Sequence, residues 1–320
     1  MLRSMYSAIS GLKTSQEKLD VIGNNIANVS TTAFKSQSVR FEDMVSQNYS
    51  QATGSNINTG GVNGKQFGLG VQIASIDTLN TNGSMQPTSR PLDVAIDGTG
   101  YFVVANGTVG ADGSVAGTTS YTRDGGFELD EKGNLVTSDG SRVMGYTVNN
   151  DVETANSIEY TTAGTDPKVN YVNANSANLV SSTNMVPLVI PDSVAGSKVQ
   201  SFSIGKDGVI KAVLADKTVT VIGQIGMASF KNEDGLKKIG KDQFQATTNS
   251  GDPVLRSGLG ATTDNSTAYG DINQGMLEMS NVDLAQQFTD MIVASRAFQA
   301  NGKVITTGDD ILNELIGLKR

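Results

Sequence analysis

Apolar residues toward the end of the chain recur in steps of three and four. From Leu284 the series runs Phe288, Met291, Ser295, Phe298, Gly302, Ile305, Asp309, Leu312 and Ile316. A 3.5-residue repeat is the pattern of a helix laid along another helix. No proline interrupts residues 280–320. The spacing therefore predicts one helix there, about 55–60 Å long at about 1.5 Å per residue. Ser280 with Asp283 reads as its amino-terminal cap, and Lys319 and Arg320 stand where the helix dipole favours cations. A second series opens the chain: Leu2, Met5, Ile9, Leu12, Gln16, Leu19, Gly23 and Ile26. It predicts a second heptad helix of about 25 residues, with Asn24, Asn25 and Asn28 marking its exit. The two helices could lie separately on a globular core or pair with each other. Pairing is the preferred reading, because the heptads stand at the two ends with β-like sequence between them.

From Val71 onward the pattern turns to strands. Val94–Ile96 falls in an alternating run, Tyr101–Val104 reads as a buried strand, and further strands follow around 127–136, 143–146, 186–190, 199–204, 209–214 and 218–222. Asn-Gly or Asp-Gly pairs begin at 82, 97, 106, 112, 124, 139, 207 and 234. Such pairs mark successive hairpins, and their close spacing argues for an antiparallel sandwich or barrel rather than α/β. Residues 36–75 are polar and poorly periodic. Residues 151–189 are the least regular stretch.

The reading is an α+β multidomain chain. Paired N- and C-terminal heptad helices, coiled-coil-like, stand beside an antiparallel β-rich central domain. Residues 1–30 and 280–320 form the terminal helical assembly domain, and 31–75 and 258–279 are connecting arms. Residues 76–150 and 190–257 form the central β domain, and 151–189 is an insertion or small outer β domain.

Composition narrows the function. The 320 residues suffice for two or three domains, and 36 glycines fit turn-rich β structure. The net charge of −8 and the lack of any basic stripe argue against nucleic acid as a partner. The chain has no Cys and no His. That removes disulfides, the thiol nucleophile, the usual general base and the commonest zinc ligands. The missing residues point away from an enzyme, and no cofactor or metal is expected. Gly60–Gln66 suggests a phosphate loop but fails it, with Thr59 for the first Gly and Gln66 for Ser/Thr after Lys65. Asp93 and Asp97 read as a strand face and a turn, and Asp124, Asp130 and Glu131 fail calcium-loop spacing. Residues 1–9 lack the apolar core of a secretory signal. No segment approaches the ~18–20 apolar residues of a membrane span. Taken alone this reads as cytoplasmic, although a chain exported by a dedicated machine shows the same features.

At Asn24-Asn25-Ile26-Ala27-Asn28-Val29-Ser30-Thr31-Thr32-Ala33-Phe34-Lys35 the sequence resembles the amino-terminal signature of the flagellar axial proteins, the rod and hook subunits. Ser30 stands where the family has Asn, and Ala33 where it has Gly. Because Gly alone takes positive φ cheaply, Ala33 puts the turn geometry there in question. Residues 91–100, 121–146, with Arg123 in a structural place, and 225–230 resemble the family's central β domain. The segments 275–284, Met291-Ile292 and 296–301 resemble its carboxy-terminal signature, with Ser295 where Gln is common. The motif residues are Asn24, Asn25, Asn28, Phe34, Lys35, Asn281, Asp283, Arg296 and Asn301.

The resemblance implies a structural subunit of the extracellular bacterial flagellar hook, a curved helical tube that transmits torque from rod to filament. The helices would line the inner tube and the β domains the outer layers. It also implies export through the flagellar secretion channel without a cleaved signal peptide. The implied partners are copies of the chain, other axial proteins at the rod and hook–filament junctions, the hook cap and the export machinery. The assembly seam would be Leu12, Leu19, Ile26, Leu284, Phe288, Met291, Ser295, Phe298, Gly302, Ile305 and Leu312. A distal-rod subunit is the alternative, against which Gly23 and the 151–189 excursion lean. A secreted β-rich adhesin is a more remote one.

Overall fold

The computed structural model describes residues 2–55, 60–110, 112–150, 156–160, 167–176, 179–261 and 265–318. They fall into two compact units, each built from discontinuous chain. A helical unit holds Met1–Ser30, Lys35–Leu79 and Val282–Arg320, and a β unit holds Thr31–Phe34 and Asn80–Asn281.

The helical unit contains helix α1 (Leu2–Ala27), strands β1 (Gln37–Asp43), β2 (Gln47–Ser50), β3 (Lys65–Phe67) and β4 (Val71–Thr78), and helix α2 (Leu284–Gly317). The last helix starts at Leu284, the first residue of its apolar series, four residues after Ser280. Asp283 is the cap: its backbone is extended, and its carboxylate accepts from the N–H groups of Ala285 at 2.9 Å and Gln286 at 3.3 Å. One carboxylate thus satisfies two of the four orphan donors of the first turn, and Ser280 lies before it. Lys319 and Arg320 lie outside the described residues. The first helix ends in its asparagine cluster. The Asn28 N–H reaches the Asn24 carbonyl at 3.2 Å, and the Asn28 amide donates to that carbonyl and to Asn24 Oδ1. Strands β1 and β4 pair antiparallel from Gln37 opposite Thr78 to Asp43 opposite Val71, with a register slip at Arg40/Phe41. Strands β2 and β3 pair beyond them, with Tyr49 and Phe67 edge-on at 6.0 Å.

In the β unit, fourteen strands among the described residues form one antiparallel hydrogen-bonded network. Its middle runs Val209–Leu214, Val219–Ile225, Arg142–Asn150, Tyr101–Val109, Val115–Thr122. Two smaller ladders join distant sequence: Val94–Asp97 with Asp271–Gln274, and Met85–Pro87 with Met276–Glu278. Alternation in the central strands sends side chains to different cores. One gathers Val94, Phe102, Phe127, Leu135, Val143, Leu188, Ile222 and Met227; a second gathers Tyr101, Val103, Tyr121, Phe230 and Phe244; a small third holds Val148, Val209 and Val221. Within the irregular stretch, Leu179–Pro187 pairs with Arg142–Asn150, and Ile158 and Val172 are buried. Residues 151–155, 161–166 and 177–178 lie outside the described set. Asp112-Gly113, Asp139-Gly140 and Asp207-Gly208 sit in turns, whereas Asp234-Gly235 lies in a 3-10 helix and Asn106-Gly107 in a strand. It lies mid-strand with Gly107 opposite Gly117, where a Cβ on Gly117 would meet the Asn106 carbonyl. Two facing glycines let the strands approach, so this pair is a packing device rather than a hairpin.

Candidate assembly site in the terminal helices

The terminal helices pack against each other in opposite directions. Asn25 meets Gln287, with amide nitrogen to amide oxygen at 3.1 Å, and Lys18 meets Asp290 at 3.4 Å. Gly11 meets Asn301, and Met5 meets Gly308. The face of α1 that becomes buried is Ala8, Gly11, Thr14, Ile22 and Asn25. It recurs at three- and four-residue steps, offset by about one position from the apolar series. Apart from Ile22 these residues are small or polar, and at Gly11 a Cβ would fall 2.6 Å from the side-chain amide nitrogen of Asn301. On α2, Ala294 is the buried side chain.

Asn25 is the keystone of this unit. Only 1 % exposed, it exchanges two hydrogen bonds with the main chain of Gln37, donating to the carbonyl at 2.8 Å and accepting from the N–H at 3.0 Å. The remaining amide proton goes to Gln287. One side chain thereby ties α1 to β1 and to α2, a use that explains an asparagine on a helix face.

The apolar series itself is only partly covered within one chain. Leu12, Leu19, Ile26, Met291, Ser295, Gly302, Ile305 and Leu312 are half-buried. Leu284 (40 %), Phe288 (51 %) and Phe298 (40 %) are exposed, as are Ile292, Val293, Val304, Ile311, Leu315 and Ile316. An aromatic and aliphatic stripe of this length is unusual on a free surface. Arg296 is exposed and donates to Gln299 at 3.1 Å, and Lys35 is buried at 1 %.

The other motif residues serve the β unit. The Ala33 N–H donates to the Glu278 carbonyl at 2.8 Å, and the Asn281 N–H to the Phe34 carbonyl at 3.4 Å. Asn281 also donates to the Thr81 carbonyl and hydroxyl. Ala33 holds φ at 57°, so the turn keeps left-handed geometry although the residue is not glycine. The Lys238 ammonium lies 4.9 Å from the centre of the Phe34 ring. Burial pushes that ammonium's pKa down, against the opposing pull of Asp242. Below these residues Arg123 is 2 % exposed and held by Glu278 at 3.3 Å, Asn82 at 3.1 Å and the Gly98 carbonyl at 2.7 Å, over the Tyr101 ring. Burial, with Glu233 alongside, raises the Tyr101 phenol well above its ordinary value. No helix among the described residues is long and apolar enough to cross a membrane.

Gly11, Thr14, Ile22 and Glu278 escape a reading based on apolar spacing. The small residues Ala8, Gly11 and Thr14 carried a weak signal through their own three-residue steps.

Comparison with known proteins gives this architecture its class, the axial structural proteins of the bacterial flagellum. Residues 5–35 match the model for flagella basal body rod protein, 95–212 the flagellar hook protein FlgE/F/G D1 domain, and 273–318 the flagellar basal body rod FlgEFG protein C-terminal. The flagellar basal-body rod protein FlgG of Bacillus subtilis is 43 % identical over 320 residues, covering 100 % of both chains. The flagellar hook protein FlgE of Borreliella burgdorferi is 29 % identical over 457 residues, again covering 100 % of both. FlgG of Buchnera aphidicola subsp. Acyrthosiphon pisum is 32 % identical over 317 residues, covering 98 % of this chain and 99 % of that one. The chain belongs to the flagellar rod and hook axial protein family.

Proposed function

We propose that this chain polymerises with copies of itself into a helical tube of the flagellar axis. The observation that carries this is the uncovered apolar stripe of α2, centred on Phe288 and Phe298, each at least 40 % exposed in the single chain. A surface of that kind is removed from water when copies pack side by side. A repeated head-to-tail contact that does not close yields a helical assembly. The helices would then form the inner tube and the β units its outer layers, joined to other axial proteins at its ends. The chain would be exported unfolded, without a cleaved signal. Its work would be mechanical, the transmission of torque, with no reaction catalysed.

Along the axis, the hook is the first reading. It is supported by the Leu19–Asn25 sequence with Gly23, an exposed position on α1, and by hook relatives that cover the whole chain. The distal rod is the second. It is favoured by the full-length 43 % match to a protein named as a rod subunit, whereas the hook alignment stretches over 457 positions. Electron microscopy of detergent-stripped cells carrying a tagged copy separates them. Label on curved tubes outside the envelope supports the hook, and label on straight segments within it supports the rod. Label on neither contradicts the axial reading.

A further inference from the structure

Asparagine is followed by glycine at 63, 82, 106 and 301. An Asn-Gly pair carries its own chemistry. The glycine main-chain nitrogen can attack the asparagine side-chain carbonyl, and glycine has no side chain to obstruct the ring that forms. What decides the rate is how the fold treats the two reacting groups. Asn106-Gly107 lies inside the strand Tyr101–Val109, and Asn301-Gly302 inside α2. Regular structure holds the main chain there.

Asn82-Gly83 is treated differently, because two buried charged groups sit on its reacting atoms. Arg123 Nη1 donates to Asn82 Oδ1 at 3.1 Å. The same nitrogen lies 3.3 Å from Glu278 Oε2, and Glu278 Oε1 accepts the Gly83 N–H at 2.9 Å. Electrophile, nucleophile and the two charges thus close one ring of contacts. Arg123 and Glu278 are each 2 % exposed, whereas Asn82 is open to water. Packing demands glycine at 83, since a Cβ there would collide with the Met279 carbonyl oxygen. The Met279 N–H also donates to the Ser84 carbonyl at 2.9 Å, which pins the segment. Fixed placement of reacting groups is what lowers the barrier to a cyclisation.

We propose that Asn82-Gly83 is a self-modifying site, at which Glu278 and Arg123 promote closure of a succinimide that water opens to aspartate or isoaspartate. Glu278 Oε1 takes the proton of the Gly83 nitrogen as that nitrogen bonds to Asn82 Cγ. Arg123 stabilises the negative charge that gathers on Oδ1. The Cγ–Nδ2 bond then breaks, Glu278 passes the proton to the leaving nitrogen, and ammonia departs. Water adds to one of the two ring carbonyls. Opening at Cγ leaves aspartate, and opening at the main-chain carbonyl leaves isoaspartate, with the chain routed through the side chain. Either product places a new carboxylate beside the Arg123–Glu278 pair. The change happens once per molecule, so no outside substrate is turned over.

The test is peptide mapping by mass spectrometry of the purified full-length chain, incubated native and in urea. Isotopically labelled water marks the conversion that occurs during incubation. Asn82 is expected to convert about tenfold or more faster in the native chain than in the unfolded one, a modest part of what a positioned base contributes in an enzyme. Asn106 and Asn301, held in regular structure, convert more slowly native than unfolded and serve as the reference. Glu278→Gln keeps an acceptor but removes the base. With its sheet content confirmed by circular dichroism, native conversion of Asn82 in Glu278→Gln falls to the unfolded rate or below. Slower conversion of Asn82 in the native wild type than in the unfolded chain overturns the proposal, and the pair around it is then structural only. Acceleration that persists in folded Glu278→Gln overturns the role of Glu278 as base. Should Glu278→Gln not fold, the native-to-unfolded ratio of the wild type decides alone.

Discussion

Gly11 and Asn301 lie against each other across the antiparallel helix pair, so close that a Cβ at position 11 would sit 2.6 Å from the Asn301 amide nitrogen. The contact leaves no room for a large side chain at position 11. Gly11→Ala is expected to be near neutral, because the Asn301 amide swings aside and alanine adds about 1 kcal/mol of helix propensity. Gly11→Leu finds no room and is expected to cost about 1–3 kcal/mol. Hydrogen exchange checks this: amides of α1 and α2 exchange faster in Gly11→Leu, while those of the β unit keep wild-type rates.

Ala33 occupies a left-handed backbone conformation, at φ 57°, where glycine carries no Cβ penalty. Ala33→Gly is expected to relieve about 1 kcal/mol of strain, less the extra entropy glycine has in the unfolded chain. The β unit's melting temperature should rise by about 1–3 °C. A clear fall would show that the buried Ala33 methyl packs more favourably than its backbone strains.

Much of this fold was legible in the sequence, for physical reasons that differ from element to element. The two terminal helices announced themselves by a 3.5-residue repeat, and the β unit by punctuation such as Asp207-Gly208 and Asp139-Gly140, both of which sit in turns. The contact face between the helices was not legible. The buried positions of α1 there are Ala8, Gly11 and Thr14, with Leu12 half-buried and Ile9 exposed, and at Gly11 the Asn301 side chain leaves no room for a large residue. Asn106-Gly107 misled because a turn dipeptide and a close strand crossing call for the same residues. Asn25 was visible as a motif residue, but its bonds to Gln37 and Gln287 depend on two segments far away in the chain.

Arg123 and Glu278 form an ion pair whose side chains are 2 % and 0 % exposed. Glu278→Gln keeps an acceptor for the Gly83 N–H but leaves a buried guanidinium without its counter-charge. The expected loss is about 3–5 kcal/mol, seen as a lower denaturant midpoint for the β unit. The double variant Arg123→Met with Glu278→Leu is expected to lose less than Glu278→Gln alone, since it buries no charge. The opposite order would mean that the hydrogen bonds around the pair outweigh its charges.

Asp139 provides a pH signature. Burial pushes its carboxyl up, but hydrogen bonds from the Thr137 and Ser141 hydroxyls and the Ser141 N–H, with Lys241 nearby, outweigh burial and hold it below the ordinary value. A carboxyl depressed in the folded state contributes stability that is present above its unfolded value, near 3.9, and is lost as pH falls through the folded value. The β unit should therefore lose stability in acid, and Asp139→Asn should flatten that acid limb while lowering stability near neutrality. An unchanged acid limb in Asp139→Asn would assign the loss to other carboxylates.

The central claim is that α2 presents its aromatic stripe to neighbouring copies rather than to its own chain. Phe288 and Phe298 are 51 % and 40 % exposed, so replacing both with Asp should leave the isolated chain folded. The direct measurement is electron microscopy and pelleting of the concentrated, purified Phe288→Asp/Phe298→Asp protein beside the wild type. Circular dichroism of both confirms the fold. The account predicts tubes from the wild type and none from the variant at equal helix content. Tubes of the same form and yield from both proteins would contradict it.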